Sequence, residues 1–444
     1  MNDQQDTIFA MATAPGRAGV AVLRVSGSLA GSIGELVSGS LPQPRKAAVR
    51  TFSDNCGDVI DRGLLLWFPS PNSFTGEHVI EFHLHGGRAV ADRMLQLLSQ
   101  MRGTRAARAG EFTRRAFDNG KLDLTAVEGL ADLVAAETEA QRRQALHQME
   151  GRLGVIYENW RERLLRALAY LEAQIDFSDE ELPDGLEREV TLTLLDICTE
   201  IQAHLADGYR GEILRRGFRI AILGAPNVGK SSLLNLLARR QAAIVMPEAG
   251  TTRDVIEVNL DLGGYLVCVA DTAGLRSTRD EAEAEGIRRA REQAESADLR
   301  LLVFDAGQWP DVDSQTGDLR SGAALCVLNK IDLHPKIAVD TVHPFIAVSV
   351  KSGAGVEGLL QAIQDEVAAR LGGGETPGLS RERHRRELVL CVESLDRARH
   401  PAGKAVELVS EDVRLAMGAL GRITGRAGVE DMLDVLFGEL CIGK

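Results

Sequence analysis

The sequence predicts a multidomain chain: an α+β N-terminal domain, a discontinuous all-α helical domain, and an α/β P-loop domain inserted into the helical one. Three observations predict it. Residues 1–120 mix short apolar runs with Gly, Pro and Asn punctuation, the texture of strands joined by turns. From Gly217 the apolar runs FRIAILG, YLVCVAD, RLLVFD, ALCVLNK and FIAVSV alternate with helical patterns, the mark of a parallel sheet. On either side of that stretch apolar residues recur at three- and four-residue steps, as helices require. At about 150 residues per domain, a chain of 444 residues holds roughly three domains. The expected boundaries are 1–120, 121–215, 216–371 and 372–444. Insertion is physically easy when the guest domain's termini lie close together.

Taken in order, GVAVLRVSG, GLLLWFP and HVIEFHLHGG read as strands of the first domain. Thr125 and Glu128 stand at capping-box spacing and are expected to open a long Ala, Leu and Glu-rich helical segment. Ile156, Trp160, Leu164, Leu168, Leu171 and Ile175 then form one face of a second helix. The acidic stretch Asp176 to Glu189, with Pro183 and Gly185, breaks it, and another amphipathic helix is expected from about Val190 to Tyr209. After the α/β runs, LGGGETPG at 371–378 is a break, and helices resume to the C-terminus, one of them carrying Val429, Met432, Leu433, Leu436 and Leu440.

The charge balance is 51 − 64 = −13, which excludes a surface that clings as a whole to polyanions. Nucleic-acid contact must be local. Arg102, Arg105, Arg108, Arg114 and Arg115 form one basic stretch, and Arg381, Arg383, Arg385 and Arg386 around His384 form another. Each reads equally well as a solvated helix face. Six scattered cysteines without a CxxC pair argue against a zinc knuckle or a disulfide scaffold. MNDQQDTIFAMATAPG lacks a basic segment followed by an apolar one, and no run approaches the roughly 18 apolar residues of a membrane span. A soluble cytoplasmic protein is expected.

The most informative motif is GAPNVGKS at 224–231, a GxxxxGK[ST] loop between a strand and a helix. Backbone N–H groups from Gly224 to Gly229, with Asn227 and Val228 among them, can cradle a β-phosphate, and Lys230 reaches the β and γ oxygens. Ser231, followed by Ser232, offers its hydroxyl to Mg²⁺. Further motifs follow in order. GTTRD contributes Thr251 and Thr252, the latter placed to ligate Mg²⁺ and sense the γ-phosphate. DTAG contributes Asp271, Thr272, Ala273 and Gly274, and NKID contributes Asn329, Lys330 and Asp332. SVK adds Ser349, Val350 and Lys351. The Asp332 carboxylate can accept from two adjacent guanine N–H groups, a pair that adenine does not present, so the set predicts GTP.

Leu275 stands where many small GTPases carry a Gln that orients the attacking water, and a leucine cannot hold water. Glu281, Glu283 and Glu285 in the following acidic segment are candidates, unless that run is simply the solvated start of a helix. Asn227 could ligate a monovalent cation beside the phosphates or serve as a turn former.

With these residues assembled, the chain resembles the bacterial tRNA-modification GTPase family MnmE (TrmE) over essentially its full length. The resemblance rests on DTIFAMATAPGRAGVAVLRVSG, VIEFHLHGG, GEFTRRAFDNGKLDLTAVEGLADL, the G motifs with GTTRD, and CIGK at 441–444. It implies an N-terminal folate-binding domain that drives homodimerisation, and a G domain that pairs when K⁺ is bound by Asn227, Thr251 and the carbonyls of Met246 and Glu248. Pro247 and SVK in place of SAK depart from the commoner pattern. The resemblance raises Glu283 above its acidic neighbours as the water-orienting residue. It also makes Arg24, Glu81, Lys121 and Lys444 contacts to a reduced folate, formyl or methylene tetrahydrofolate. From residue type alone all four read as structural. Cys441 is a small core residue or a participant in tRNA modification.

The expectation is a potassium-stimulated GTP hydrolase. With an FAD-carrying flavoprotein resembling MnmG, it adds an aminomethyl or carboxymethylaminomethyl group to C5 of the wobble uridine of certain tRNAs. The alternative is a regulatory GTPase switch acting on rRNA in ribosome assembly, although no KH-type GXXG loop stands in a suitable context.

Overall fold

The computed structural model describes residues 6–176, 186–240, 256–271, 295–309, 323–334, 344–372, 378–399, 405–427 and, near the C-terminus, 433, 436–438, 440 and 443. The chain forms two compact units, Met1–Ala131 with Gln148–Leu186 and His400–Lys444, and Asp132–His147 with Glu187–Arg399.

The first unit opens with β1 (Thr7–Met11), β2 (Ala18–Ser26), α1 (Ala30–Ser38), β3 (Ala48–Ser53), β4 (Val59–Phe68), β5 (Val79–Gly86), α2 (Arg88–Ser99), β6 (Thr104–Ala106), α3 (Glu111–Asp118) and α4 (Leu124–Ala135). Its strands form one sheet in the order β3-β4-β5-β2-β1-β6, in which only the β1–β6 pairing is parallel. Strand alternation splits the residues between two faces. Leu23, Val25, Ile80, Phe82 and Leu84 are buried on one face with Ile33 and Val37 of α1 and Met94, Leu97 and Leu98 of α2. Arg24, Glu81 and His83 alternate with them and lie on the other, half-buried face.

The remaining elements are α5 (Glu139–Met149), α6 (Arg152–Asp176), α7 (Leu186–Leu205), α8 (Arg210–Arg216), β7 (Phe218–Leu223), α9 (Lys230–Arg240), β8 (Ile256–Leu262), β9 (Tyr265–Asp271), β10 (Leu299–Asp305), β11 (Ala324–Asn329), β12 (Phe345–Ala347), α10 (Val356–Leu371), α11 (Glu382–Arg399) and α12 (Val406–Thr424). In the first unit α6 packs along α12. In the second, the sheet order is β12-β11-β10-β7-β9-β8, parallel except for the antiparallel edge strand β8. The continuous apolar runs read from the sequence are β7, β9, β10, β11 and the half-buried edge strand β12, and the central β7 and β10 carry buried residues on both faces.

Several expectations are corrected. The α4 cap is Asp123, whose Oδ1 accepts the Ala126 N–H at 2.8 Å and the Thr125 hydroxyl at 2.7 Å. Thr125 and Glu128 are buried within the helix and form no capping box. The long segment is two helices, separated where Gln141 Oε1 accepts the N–H groups of Glu137 and Thr138 at 3.0 and 3.2 Å. On α6, Trp160, Leu164, Leu168 and Leu171 are buried as expected, while Ile156 and Ile175 are half-buried and Leu153 and Tyr157 join the core. The next helix covers Leu186–Leu205 and so reaches further toward the N-terminus than Val190, with Glu187 and Glu189 in its first turn, where carboxylates are favourable. It stops at Leu205, and α8 follows separately after Tyr209 in the left-handed region. Leu433, Leu436 and Leu440 are buried with Leu124 and Val127, whereas Val429 and Met432 lie outside the described residues.

Two arginines of each basic stretch are structural. Arg105 pairs with Asp6 and Glu111, and the buried Arg115 donates to both Glu77 oxygens at 3.0 and 3.1 Å and to the Asp6 carbonyl at 2.8 Å. Arg385 meets Asp207 and Glu212 and lies 3.9 Å from the Tyr209 ring centroid, while Arg381 meets Asp132. Removing one partner of a buried pair strands the other, so Arg115→Ala is expected to lower stability by about 3–5 kcal/mol, measured by denaturant unfolding. Burial pushes the Glu111 carboxyl up, but Arg105, the Arg108 N–H and Arg115 outweigh it and hold it below its ordinary range. A depressed carboxyl stabilises the fold above its unfolded pKa. That contribution is therefore expected to fade as pH falls below about 4.

Burial pushes the Cys391 thiol up to about 12 and those of Cys198 and Cys268 to about 11, which keeps them protonated and inert. No helix among the described residues is long and apolar enough to cross a membrane.

Candidate functional site

Strand β7 lies between β9 and β10 and delivers Gly224 at its C-terminal end, where α9 begins six residues later. The loop between them turns through Asn227 at φ 63°, a left-handed position that a short polar side chain tolerates. Gly229 is required twice over: its φ is 102°, and a Cβ there would run into the Asn329 amide. Val228 is buried, whereas Asn227, Ser231 and Ser232 are exposed at the loop and the first turn of α9. Lys230 folds back so that Nζ donates to the carbonyls of Gly224 at 2.8 Å and Ala225 at 2.9 Å. Those carbonyls hold the ammonium at the loop's mouth.

Asn329, at the end of β11, joins this loop to the last motif. It is 2% exposed; its Nδ2 donates to the Val228 carbonyl at 2.8 Å and its Oδ1 accepts the Val350 N–H at 3.1 Å. Lys330, at φ 69°, pairs with Asp305 at 2.7 Å. Burial pushes the Asp305 carboxyl up, but Lys330 and the Gly307 N–H hold it below its ordinary range. Ser349 is buried; its hydroxyl donates to Asp332 Oδ1 at 2.6 Å and accepts the Ser352 N–H at 3.2 Å. The exposed Asp332 carboxylate is thereby oriented at one oxygen, which suits it to a pair of N–H donors.

The structure thus brings together the residues read from the loop, NKID and SVK, with Lys351 exposed beside them. Asp271 closes β9, the neighbour of β7. Thr251, Thr252, Thr272, Ala273, Gly274, Leu275, Met246, Glu248 and the candidates Glu281, Glu283 and Glu285 lie outside the described residues. Asp305 escaped the sequence reading, although a strand ending in Asp (RLLVFD) was a signal for it.

A second polar site lies on the half-buried face of the first unit's sheet. Arg24 and Glu81 are cross-strand partners, and Arg24 Nε donates to Glu81 Oε1 at 2.9 Å. The guanidinium lies 5.3 and 5.7 Å from the ring centroids of Phe74 and Phe112 and donates to the Gly443 carbonyl at 3.4 Å. Gly443 takes φ 101°, and a Cβ there would strike the Met11 carbonyl, so only a glycine lets the backbone come this close to β1. The 74–76 segment borders Arg24 through Phe74, while a Cβ at Gly76 would come within 3.3 Å of Lys121 Cε. Lys444 and Cys441 lie outside the described residues.

Family models match both parts of the chain: GTP-binding protein TrmE N-terminus at residues 7–121 and MnmE helical domain at residues 124–441. The chain belongs to the MnmE family. Curated relatives carry the name tRNA modification GTPase MnmE. The Paramagnetospirillum magneticum protein is 51% identical over 442 residues, 99% of this chain and 100% of that one. The Parvibaculum lavamentivorans protein is 53% identical over 449 residues, with the same coverage, and the Caulobacter vibrioides protein is 51% identical over 447. As an MnmE-family GTPase, the chain has the multidomain fold expected from its sequence, with a TrmE-type N-terminal domain, helices and a P-loop α/β domain.

Proposed function

We propose that this MnmE-family chain is a potassium-stimulated GTP hydrolase that works as a homodimer with an FAD-carrying, MnmG-like flavoprotein. Together they add an aminomethyl or carboxymethylaminomethyl group to C5 of the wobble uridine in certain tRNAs, with a reduced folate as one-carbon donor. The observation that carries this reading is the Asn329 bridge, which sets an oriented Asp332 carboxylate beside a phosphate-binding loop. The relatives' shared name, tRNA modification GTPase, favours tRNA over the rRNA alternative.

In this reading Asp332 accepts from the guanine edge, and Lys230 exchanges the carbonyls of Gly224 and Ala225 for phosphate oxygens. The Gly229 cradle admits a β-phosphate where any side chain would collide with Asn329. Ser231, exposed on the first turn of α9, and Thr252 are the residues to hold Mg²⁺, which neutralises phosphate charge when bound. Asn227, exposed in the loop, with Thr251 and the carbonyls of Met246 and Glu248, is suited to K⁺, which supplies the positive charge an arginine finger gives elsewhere. GTP turnover is therefore expected to be faster in potassium than in sodium at equal ionic strength. Equal rates would remove the cation from the account.

The Arg24–Glu81 pair suits a reduced folate. Glu81 can accept the pterin's N–H groups, while Arg24, Lys121 and Lys444 supply positive charge for an anionic ligand. Arg24→Ala is expected to weaken tetrahydrofolate binding about ten- to a hundredfold by calorimetry, the scale of a lost charged hydrogen bond, with GTP affinity intact. Loss of both affinities together would indicate misfolding.

A further inference from the structure

The polar face around Glu81 holds one group that neither the fold nor the proposed folate contacts use. In register, β4 sets Leu66 opposite Glu81 and Leu64 opposite His83, while β2 sets Arg24 opposite Glu81 and Val22 opposite His83. His83 and Glu81 are two residues apart on β5 and project from the same face. Glu81 Oε1 is taken by Arg24, and Oε2 faces His83 Nε2 at 3.5 Å. His83 Nε2 is fully enclosed and has no hydrogen-bond partner among the described residues. An enclosed ring nitrogen left in this state is uncommon in a native fold and calls for a partner. The carboxylate oxygen beside it favours the tautomer with hydrogen on Nε2, because the other would set a lone pair against the Glu81 charge.

A carboxylate and an N–H side by side on one face make an acceptor, acceptor, donor row. The edge of a 2-amino-4-oxopteridine presents the complement: an exocyclic amine, a ring N3–H, and then the 4-oxo oxygen. We infer that His83 is a specificity-determining residue of this pocket, its Nε2–H donating to the 4-oxo oxygen of a reduced folate whose amine and N3–H are taken by Glu81. The inference rests on the folate reading above and adds to it which pteridines the site accepts. Leu64, Leu66 and Val22 flank the row with apolar surface suited to a flat ring.

Calorimetry on the full-length protein tests it with tetrahydrofolate and with tetrahydroaminopterin, which carries a 4-amino group instead and has no N3 hydrogen, so that each variant is compared with the parent for the same ligand. His83→Leu is expected to weaken tetrahydrofolate about tenfold and to leave tetrahydroaminopterin unchanged or tighter, and His83→Gln, which keeps a terminal N–H, restores most of the tetrahydrofolate affinity. Equal weakening of both ligands assigns His83 a merely structural part and overturns the inference, as does unchanged tetrahydrofolate affinity in His83→Leu. If His83→Leu does not fold, His83→Ala read against His83→Gln gives the same contrast. A parent protein that binds neither compound overturns the folate reading itself, whereas one that binds tetrahydrofolate with no effect at His83 overturns only this inference.

Discussion

Glu283→Ala is expected to slow single-turnover GTP hydrolysis by about two to three orders of magnitude, with GTP affinity nearly unchanged. The attacking water must be held, and Leu275, directly after DTAG, has no polar atom with which to do it. A carboxylate is the natural substitute, since it accepts a water proton and aligns the lone pair on the phosphorus. Three glutamates follow closely, and the resemblance to MnmE selects Glu283 among them. It is expected to act only when two G domains pair and order the segment. Glu281→Ala and Glu285→Ala are the controls, because each removes the same charge from the same stretch. Three variants at the parent rate would mean that another group holds the water. Three equally slow variants would assign the effect to the charge or folding of the segment.

Asp332→Asn is expected to lower GTP affinity by about a hundredfold and to raise XTP affinity, read by competition binding. A carboxylate can accept two neighbouring guanine N–H groups, as proposed for Asp332, whereas an amide points one N–H₂ at a donor. Xanthine carries an oxygen in place of the exocyclic amine and matches that amide. The fold is expected to tolerate the change, because Asp332 is exposed and the Ser349 hydroxyl that holds its Oδ1 at 2.6 Å can donate to an amide oxygen equally well. An unchanged preference for GTP would show that NKID does not read the base.

The phosphate loop and the parallel sheet were legible because each leaves a local mark: a glycine-spaced loop at a strand end, and apolar runs too continuous for a one-sided strand. Exact helix ends and side-chain assignments that depend on distant partners were not. Asp123 caps α4 although Thr125 and Glu128 carry the expected spacing, since a cap depends on where the chain turns and not on spacing alone. The break between α4 and α5 carries no Gly or Pro; its mark is Thr138 and Gln141 at capping-box spacing, with Gln141 Oε1 accepting the Thr138 N–H at 3.2 Å. Asn329 reads as a base-site residue, yet its described hydrogen bonds go to Val228 and Val350, a bridge across about a hundred residues of sequence that no local pattern can signal. Alternation along β5 places Glu81 and His83 on one face but cannot say that Arg24 occupies one Glu81 oxygen and leaves the other facing His83. The basic stretch from Arg102 to Arg115 is a further case, because Arg105 and Arg115 are spent on Asp6, Glu77 and Glu111.

The account's central claim is that the nucleotide site serves tRNA modification, and nucleoside analysis of bulk tRNA from cells lacking this chain tests it most directly. The expected result is loss of the aminomethyl-type groups at C5 of wobble uridine, restored by the parent chain and not by a hydrolysis-deficient Glu283→Ala chain expressed at the same level. An unaltered nucleoside profile in the deletion strain would contradict the account.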